Sequence, residues 1–368
     1  MAETLTRPHR AAAFVWGYNN SGGLGLGHSA RAYQPVQARL PGGTADVQGG
    51  GEFTVARTSH GELHAAGGNV FGQLGDGTTK TRLGWARVPL PEGAVVAGVQ
   101  AGTDHVLAVT GRGEVYGWGR NHRGQVGCGS ASEQLSPYRV IGGGVAAVAC
   151  GDGVSAAITR EGQLLTWGRN GANQVAVGAT EDVATPAPGL LPDGVRAAAV
   201  DAGYHHLVVL TDGGEVLTFG ADPRGRPLPA EVKLDRSWGQ VRAVRAGNSF
   251  TLALTSRGLL LAWGANSAGQ LGVGDQEDRA APTVVRFPED AATVTDFWAG
   301  DHSAVAVTSS HEVYTWGQTS FGQGGTGRTD RPQTSPVRVT ALDGAHLTRV
   351  QGGANHVIVT AFDIQNGK

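Results

Sequence analysis

The chain lacks most of the features that would announce a function. It has two cysteines in 368 residues, Cys128 and Cys150, too few for a disulfide framework. No apolar run approaches the roughly 18 residues of a membrane-spanning helix. The first ten residues, MAETLTRPHR, carry no apolar stretch of the kind that makes a secretory signal. Neither sign of charge prevails: 29 Lys and Arg face 31 Asp and Glu, net −2. A basic stripe of the kind that binds nucleic acid is therefore missing. There is no G-x-x-x-x-G-K-[ST] phosphate loop, no H-E-x-x-H and no C-x-x-C. These absences lead to an expectation of a cytoplasmic protein with no cofactor, no metal, no nucleic acid and no membrane partner.

Glycine is what the chain has in excess. Sixty glycines and sixteen prolines make up about a fifth of it, which means many turns if they are periodic and low complexity if they are not. They are periodic. VWGYNNSGGLGLG, AAGGNVFGQLGDG, GWGRNHRGQVGCG, TWGRNGANQVAVG, TFGADPRGRPLP, AWGANSAGQLGVG and TWGQTSFGQGGTG are variants of one pattern. The glycine after the aromatic falls at 17, 67, 119, 168, 220, 264 and 317, so the spacings are 50, 52, 49, 52, 44 and 53. A period near 50 indicates a propeller or a solenoid.

Seven upstream runs, from VQGGGEFTVA to VQGGANHVIVT, supply a second signature. Glycine-containing turns such as TGRGEV join two short β-rich runs into a hairpin. One unit therefore reads as strand A (V-x-A-G), strand B, strand C ending in W-G, a long loop and strand D. Strand D is expected to follow a proline at Pro35, Pro137, Pro282 and Pro336, as suits an outer edge. The predicted fold is all-β: a seven-bladed propeller of four-stranded antiparallel blades. The chain begins on a strand C and ends on a strand B, so N- and C-terminal strands should complete the last blade and remove an open edge. The expected organisation is a short extension at 1–10, one propeller at 11–361 and a tail at 362–368.

The pair A-G-x-x-H and W-G-x-N-x-x-G-Q-L-G-x-G resembles the regulator of chromosome condensation repeat. The resemblance spans about 11–361 and implies the propeller fold, with strand A innermost. Composition suggests a bacterial member. The family hosts unrelated functions, so the fold does not choose among them. The family includes a nucleotide exchange factor for a nuclear GTPase, a plant UV-B photoreceptor, exported β-lactamase inhibitors and enzymes of cyclophane biosynthesis. In the photoreceptor a Trp follows the strand-A glycine. Here that slot holds Gly51, Thr103, Asp152, Tyr204, Asn248, Asp301 and Ala354, which argues against UV sensing. No unit has room for the exchange factor's inserted wedge, which argues against nucleotide exchange.

Repeated residues read as structural. Trp16, Trp118, Trp167, Trp263, Trp316 and Phe219 share a position suited to packing between blades. The asparagines at 19, 69, 121, 170 and 266 should close Asx turns. The glutamines at 73, 125, 174, 270 and 323 should satisfy loop backbone. His105, His206 and His356 share a slot with Phe53, Val154, Phe250 and Ser303, so they read as core groups.

Unrepeated residues are the candidate site. The two residues after each strand-A glycine should ring the channel mouth, bringing Glu52, Asp104, Asp152, Tyr204, His205, Asn248, Asp301, His302 and Asn355 together. The C–D loops on the same face add Tyr18, Arg120, His122, Arg123, Arg169, Arg224 and Arg226. Two functional classes stay open. One is a scaffold that binds a protein or small molecule through Glu52, Arg120, His122, Arg123, Arg169, Arg224, Asn248 and Asn355. The other is a biosynthetic enzyme with Asp104, Asp152, His205, Asp301 and His302 as acid–base groups and Tyr204 as a hydrogen-bond donor. Three tryptophans stand outside the pattern, Trp85, Trp238 and Trp298, the last placed to point into the channel. The unit of 44 residues lacks the G-Q-L-G run, and a notch in the rim is expected there.

Overall fold

A computed structural model describes residues 13–175, 177–178, 180–220 and 230–361. Strands of four to nine residues form seven four-stranded antiparallel sheets, save for one two-residue outer strand, Ala230–Glu231. Helix among the described residues amounts to two short 3-10 turns, Arg236–Trp238 and Thr340–Leu342. Blades 1 to 6 each follow one stretch of chain, spanning 44–88, 96–142, 145–188, 197–231, 241–284 and 294–338. In each the first strand, A, is innermost and D outermost, and adjacent A strands pack against each other around a central channel.

Blade 7 is the composite one. Its order from the outside is Ala32–Ala38, Ala13–Gly17, His356–Thr360, Arg349–Gly352. Ala13 pairs with Thr360 and Gly17 with His356, so strands from near the two ends of the chain close the ring, as the sequence order of strands predicts.

The core lies between blades. One cluster takes Phe53, Val55, Leu63 and Leu74 from blade 1 and Val99, Val106, Tyr116 and Trp118 from blade 2, all buried. The repeated tryptophan fixes this packing with a hydrogen bond across four of the seven boundaries. Trp118 Nε1 donates to the Gln73 carbonyl at 3.0 Å, Trp167 to Gln125, Trp316 to Gln270 and Trp16 to Gln323. The glutamine side chains accept loop N–H groups, as expected: Phe71 to Gln73 and Arg123 to Gln125, both at 2.9 Å.

Two local expectations are corrected. The prolines lie inside strand D, not ahead of it. Pro35, Pro137, Pro282 and Pro336 each fall where the register of D against C shifts. A bulge leaves one residue out of the ladder, which suits a residue without an N–H. Trp85 occupies the same bulge in blade 1 and packs on Gly25 of the neighbouring loop. The asparagines do more than close a local turn. Asn19 Oδ1 accepts the N–H of Leu24, five residues on, while Nδ2 donates to the carbonyls of His28 and Ala30. Asn121 repeats this with Val126, Ser130 and Ser132. One amide thus staples a whole C–D loop.

Candidate functional site

The A–B turns meet at the channel mouth, where backbone alone joins them into a ring. The N–H of Gly51 donates to the Thr103 carbonyl, and that of Thr103 to Gly151. Asp152 then donates to Gly203, Tyr204 to Asn248, Asn248 to Asp301, Asp301 to Ala354, and Ala354 to Gly50. These seven bonds, 2.9–3.3 Å long, link each blade to the next and return to the first. Glycine is needed at the crossing points: a Cβ on Gly151 or Gly353 would collide with the carbonyl oxygen of Gly203 or Gly50.

The ring divides the predicted site in two. Only the first residue of each pair faces the channel: Asp152, Tyr204, Asn248 and Asp301 line a narrow cavity of about 70 Å³ with Thr103 and Ala354. The second residues, Glu52, Asp104, His205, His302 and Asn355, do not line it. The two sets are not fully separated, because Asp152 and Tyr204 of the first set also border a cavity under the C–D loops. Glu52 accepts from Ser21, and Asn355 accepts from Gln323 at 3.3 Å. His205 stacks edge-on to Tyr204, ring centres 4.3 Å apart. Below the ring, Gln100, Asp201 and Trp298 line the channel.

The mouths of blades 2 and 3 carry the densest cluster. A cavity of about 160 Å³ brings together Asp104, Arg120, His122, Arg123, Asp152, Arg169 and Tyr204. Arg120 lies immediately after strand C of blade 2, and its backbone N–H bonds the Asp104 carbonyl at 2.9 Å. Its Nη1 is 3.2 Å from the Asp104 carboxylate, and its guanidinium covers the Phe71 ring of blade 1 at 4.6 Å. Arg169 repeats this one blade on: 3.5 Å from Asp152 and 4.9 Å over Tyr204 of blade 4. Arg123 reaches Asp182 at 3.1 Å. Gln73 Nε2 adds a long contact to Asp104, 3.4 Å.

Burial shapes the acidities. Desolvation raises the Asp104 carboxyl above its ordinary value, against the pull of Arg120. Burial likewise raises Asp301, which His302 opposes. His122 is pushed down by burial and then by Arg120 and Arg123, and His205 by burial and Arg169. Both imidazoles are therefore neutral at pH 7. Among the described residues no histidine nitrogen bonds a carboxylate.

Sequence reasoning missed Phe71, Phe321, Arg31 and Asp182. Phe71 and Phe321 share the position two before the repeated glutamine, where other units have Ser21, Arg123, Ala172 and Ala268. That contrast was the available signal. Phe321 meets Tyr18 edge-to-face at 5.6 Å, with Arg31 over both rings. Glu52, Asn248, Asp301, His302 and Asn355 lie outside the 160 Å³ cavity, and Arg224 and Arg226 lie outside the described residues. A third cavity, about 420 Å³, opens between blades 4 and 5 against Phe219, Phe250, Trp263 and Pro282, beside the boundary where the notch was expected. Trp238 is half-buried against the core of blades 4 and 5.

The regulator of chromosome condensation (RCC1) repeat matches at 12–57, 112–158, 161–210, 257–307 and 310–360. The chain belongs to this repeat family: it is a seven-bladed RCC1-type propeller. It is 30% identical to the ultraviolet-B receptor UVR8 of Arabidopsis thaliana over 96% of its own length and 70% of the receptor's. It matches the human E3 ubiquitin-protein ligase HERC2 at 30% identity, but spans only 8% of that protein. Human WBSCR16 superposes with a TM-score of 0.84 at 23% identity, covering 96% of this chain and 99% of that one. Yeast RCC1 (Prp20), solved with Kap60 bound, gives 0.83 at 20% identity, covering 99% and 96%. No described helix is long and apolar enough to cross a membrane.

Proposed function

We propose that this chain is a cytoplasmic binding scaffold that engages a protein partner through the A–B and C–D loop face. The observation that carries the reading is the state of the arginines on that face. Arg120 and Arg169 are each stacked on an aromatic ring of a neighbouring blade and held by an aspartate. Arginine and aromatic anchors with fixed geometry dominate the energy of protein interfaces, and fixing them beforehand lowers the ordering cost of association. Arg31 over Tyr18 and Phe321 places a third such cluster on blades 6 and 7. The acids here pair with arginines rather than histidines, which suits docking better than proton transfer. The solved Prp20 proteins, one bound by Kap60 and the other described for its binding to Gsp1p and histones, support a protein partner by analogy of fold. The net charge of −2 favours no polyanion.

The test is site-specific photocrosslinking, with a crosslinker at His122 on the loop face and another at Arg87 on an outer strand. Partner adducts at 122 and none at 87 are expected, and the purified partner should bind an Arg120→Ala, Arg169→Ala variant at least tenfold more weakly. Equal adducts at both positions, or unchanged binding by the variant, would refute the reading.

A further inference from the structure

The cavity between blades 2 and 3 has a chemistry more specific than a charged face. Three guanidiniums, Arg120, Arg123 and Arg169, line it with two carboxylates, Asp104 and Asp152. Asp182, which pairs with Arg123 from outside the lining, is a third carboxylate, so the three guanidiniums are balanced by three acids. Each arginine spends one nitrogen on an internal acid: Nη1 of Arg120 on Asp104, of Arg123 on Asp182 and of Arg169 on Asp152. A guanidinium carries five N–H donors in a planar fork, so each keeps further donors for a ligand. Contact with the Phe71 and Tyr204 rings helps to hold two of them in place. A guanidinium fork favours a planar, two-oxygen acceptor over a point charge.

Resting on the scaffold reading above, we propose that this cavity receives one carboxylate side chain, Glu or Asp, of the docked protein. The guest carboxylate is held by the guanidinium donors that the internal acids leave unused. A phosphate dianion brings twice its charge beside Asp104 and Asp152, which repel it more strongly. The volume of about 160 Å³ accommodates one side-chain head group rather than a nucleotide or a drug-sized ligand. Asp104 and Asp152 act as spacers that keep the guanidiniums apart and oriented until the guest carboxylate arrives.

Fluorescence anisotropy with labelled octapeptides of Glu, of Gln and of Ser bearing one central phosphoserine tests this on the full chain. The Glu peptide should bind at least tenfold more tightly than the Gln peptide and weaken as salt rises. Arg123→Ala with Arg169→Ala should lose about tenfold in Glu-peptide affinity. Arg169→Lys should recover little, because an ammonium has no fork, and Arg87→Ala should bind as wild type. Thermal unfolding of each variant confirms a native fold. Glu-peptide binding that persists in the double arginine variant overturns the proposal. So does binding of the phosphoserine peptide more than tenfold tighter than the Glu peptide, or no preference for Glu over Gln. A partner crosslinked at position 122 with no Glu-peptide binding overturns the carboxylate assignment alone and leaves the scaffold reading standing. Glu-peptide binding lost in the double variant, with no partner crosslinked at 122, supports the cavity and counts against the scaffold.

Discussion

The side-chain oxygen of Asn121 accepts the backbone N–H of Val126 at 2.9 Å, and this bond anchors the loop that carries Arg120, His122 and Arg123 to a fully buried residue. The same amide donates to the carbonyls of Ser130 and Ser132 at 2.8 and 3.0 Å. The candidate site thus hangs on a residue of the fold, not on its own side chains. Asn121→Ala removes these three bonds and a further contact to Cys128 Sγ, and should cost about 2–3 kcal/mol, at roughly 1 kcal/mol per backbone bond. Chemical denaturation measures the loss, and hydrogen exchange should quicken across 120–132. Exchange confined to its wild-type rate there would show that the staple is dispensable.

Acid should destabilise the propeller before its carboxylates titrate in the unfolded chain. His105 and His356 are buried and His206 is partly buried, each with Nε2 at 2.8–3.0 Å from a hydroxyl of the next blade: Ser155 for His105, Thr54 for His356 and Thr251 for His206. Burial depresses their pKa to about 3 for His105 and about 4 for the other two. A folded-state pKa below the unfolded value means the unfolded chain binds more protons. Stability is then complete above about pH 6.5 and falls as pH drops toward 4, by up to about 1.4 kcal/mol per unit per histidine. Asp104, Asp201 and Asp301 act in the opposite sense, since burial raises them. Their contribution improves as pH falls, nearer the carboxylate range, and offsets part of the loss. The urea midpoint should drop between pH 7 and 5. The drop should shrink when His105 and His206 become Phe, the residue that Phe53 and Phe250 place at this position. An unchanged slope in that variant would assign the acid sensitivity elsewhere.

Closure at the channel mouth should depend on glycine at one position and not at another. Gly151→Ala places a methyl group against the Gly203 carbonyl oxygen, and should cost about 1–3 kcal/mol through overpacking. Gly171→Ala meets nothing within 4 Å, and should be neutral or slightly stabilising. Differential scanning calorimetry of the two variants side by side makes the comparison; equal melting temperatures would contradict it.

Arg120 should hold the Asp104 carboxyl down. Burial raises that group while the hydrogen bond and charge of Arg120 lower it. Arg120→Ala should therefore move its titration further upward, which carboxyl-carbon NMR reads directly. Asp104→Asn should leave Arg120 stacked on Phe71, so that partner binding weakens less than it does for Arg120→Ala.

The strand count, blade order and inter-blade tryptophans were legible because each is repeated, and repetition averages away local exceptions; the composite blade was legible because the described strands begin with a C and end with a B. The loop staple was not, because its bonds reach 5, 9 and 11 residues ahead, beyond any local turn rule. Pro35 and its equivalents were placed outside strand D because a missing N–H was read as a boundary, when a bulge tolerates it within the strand. The candidate site was half legible. Its charged members stood out as departures from the repeat, but the pairing of Arg120 with Phe71 crosses a blade boundary and needs three dimensions. The division of the turn residues between channel and rim was not legible, because these turns are bends to which no period-two rule applies, and Asp152 and Tyr204 border both cavities.

The seven bonds that close the channel mouth use main-chain atoms only. Gly51, Thr103, Asp152, Tyr204, Asn248, Asp301 and Ala354 donate alike, whatever their side chains. Beyond the crossing glycines, closure of the ring is therefore indifferent to the side chains of its turns. The hoop does not depend on the side chains mounted on it, so the turn residues that it carries can be replaced without reopening the problem of folding.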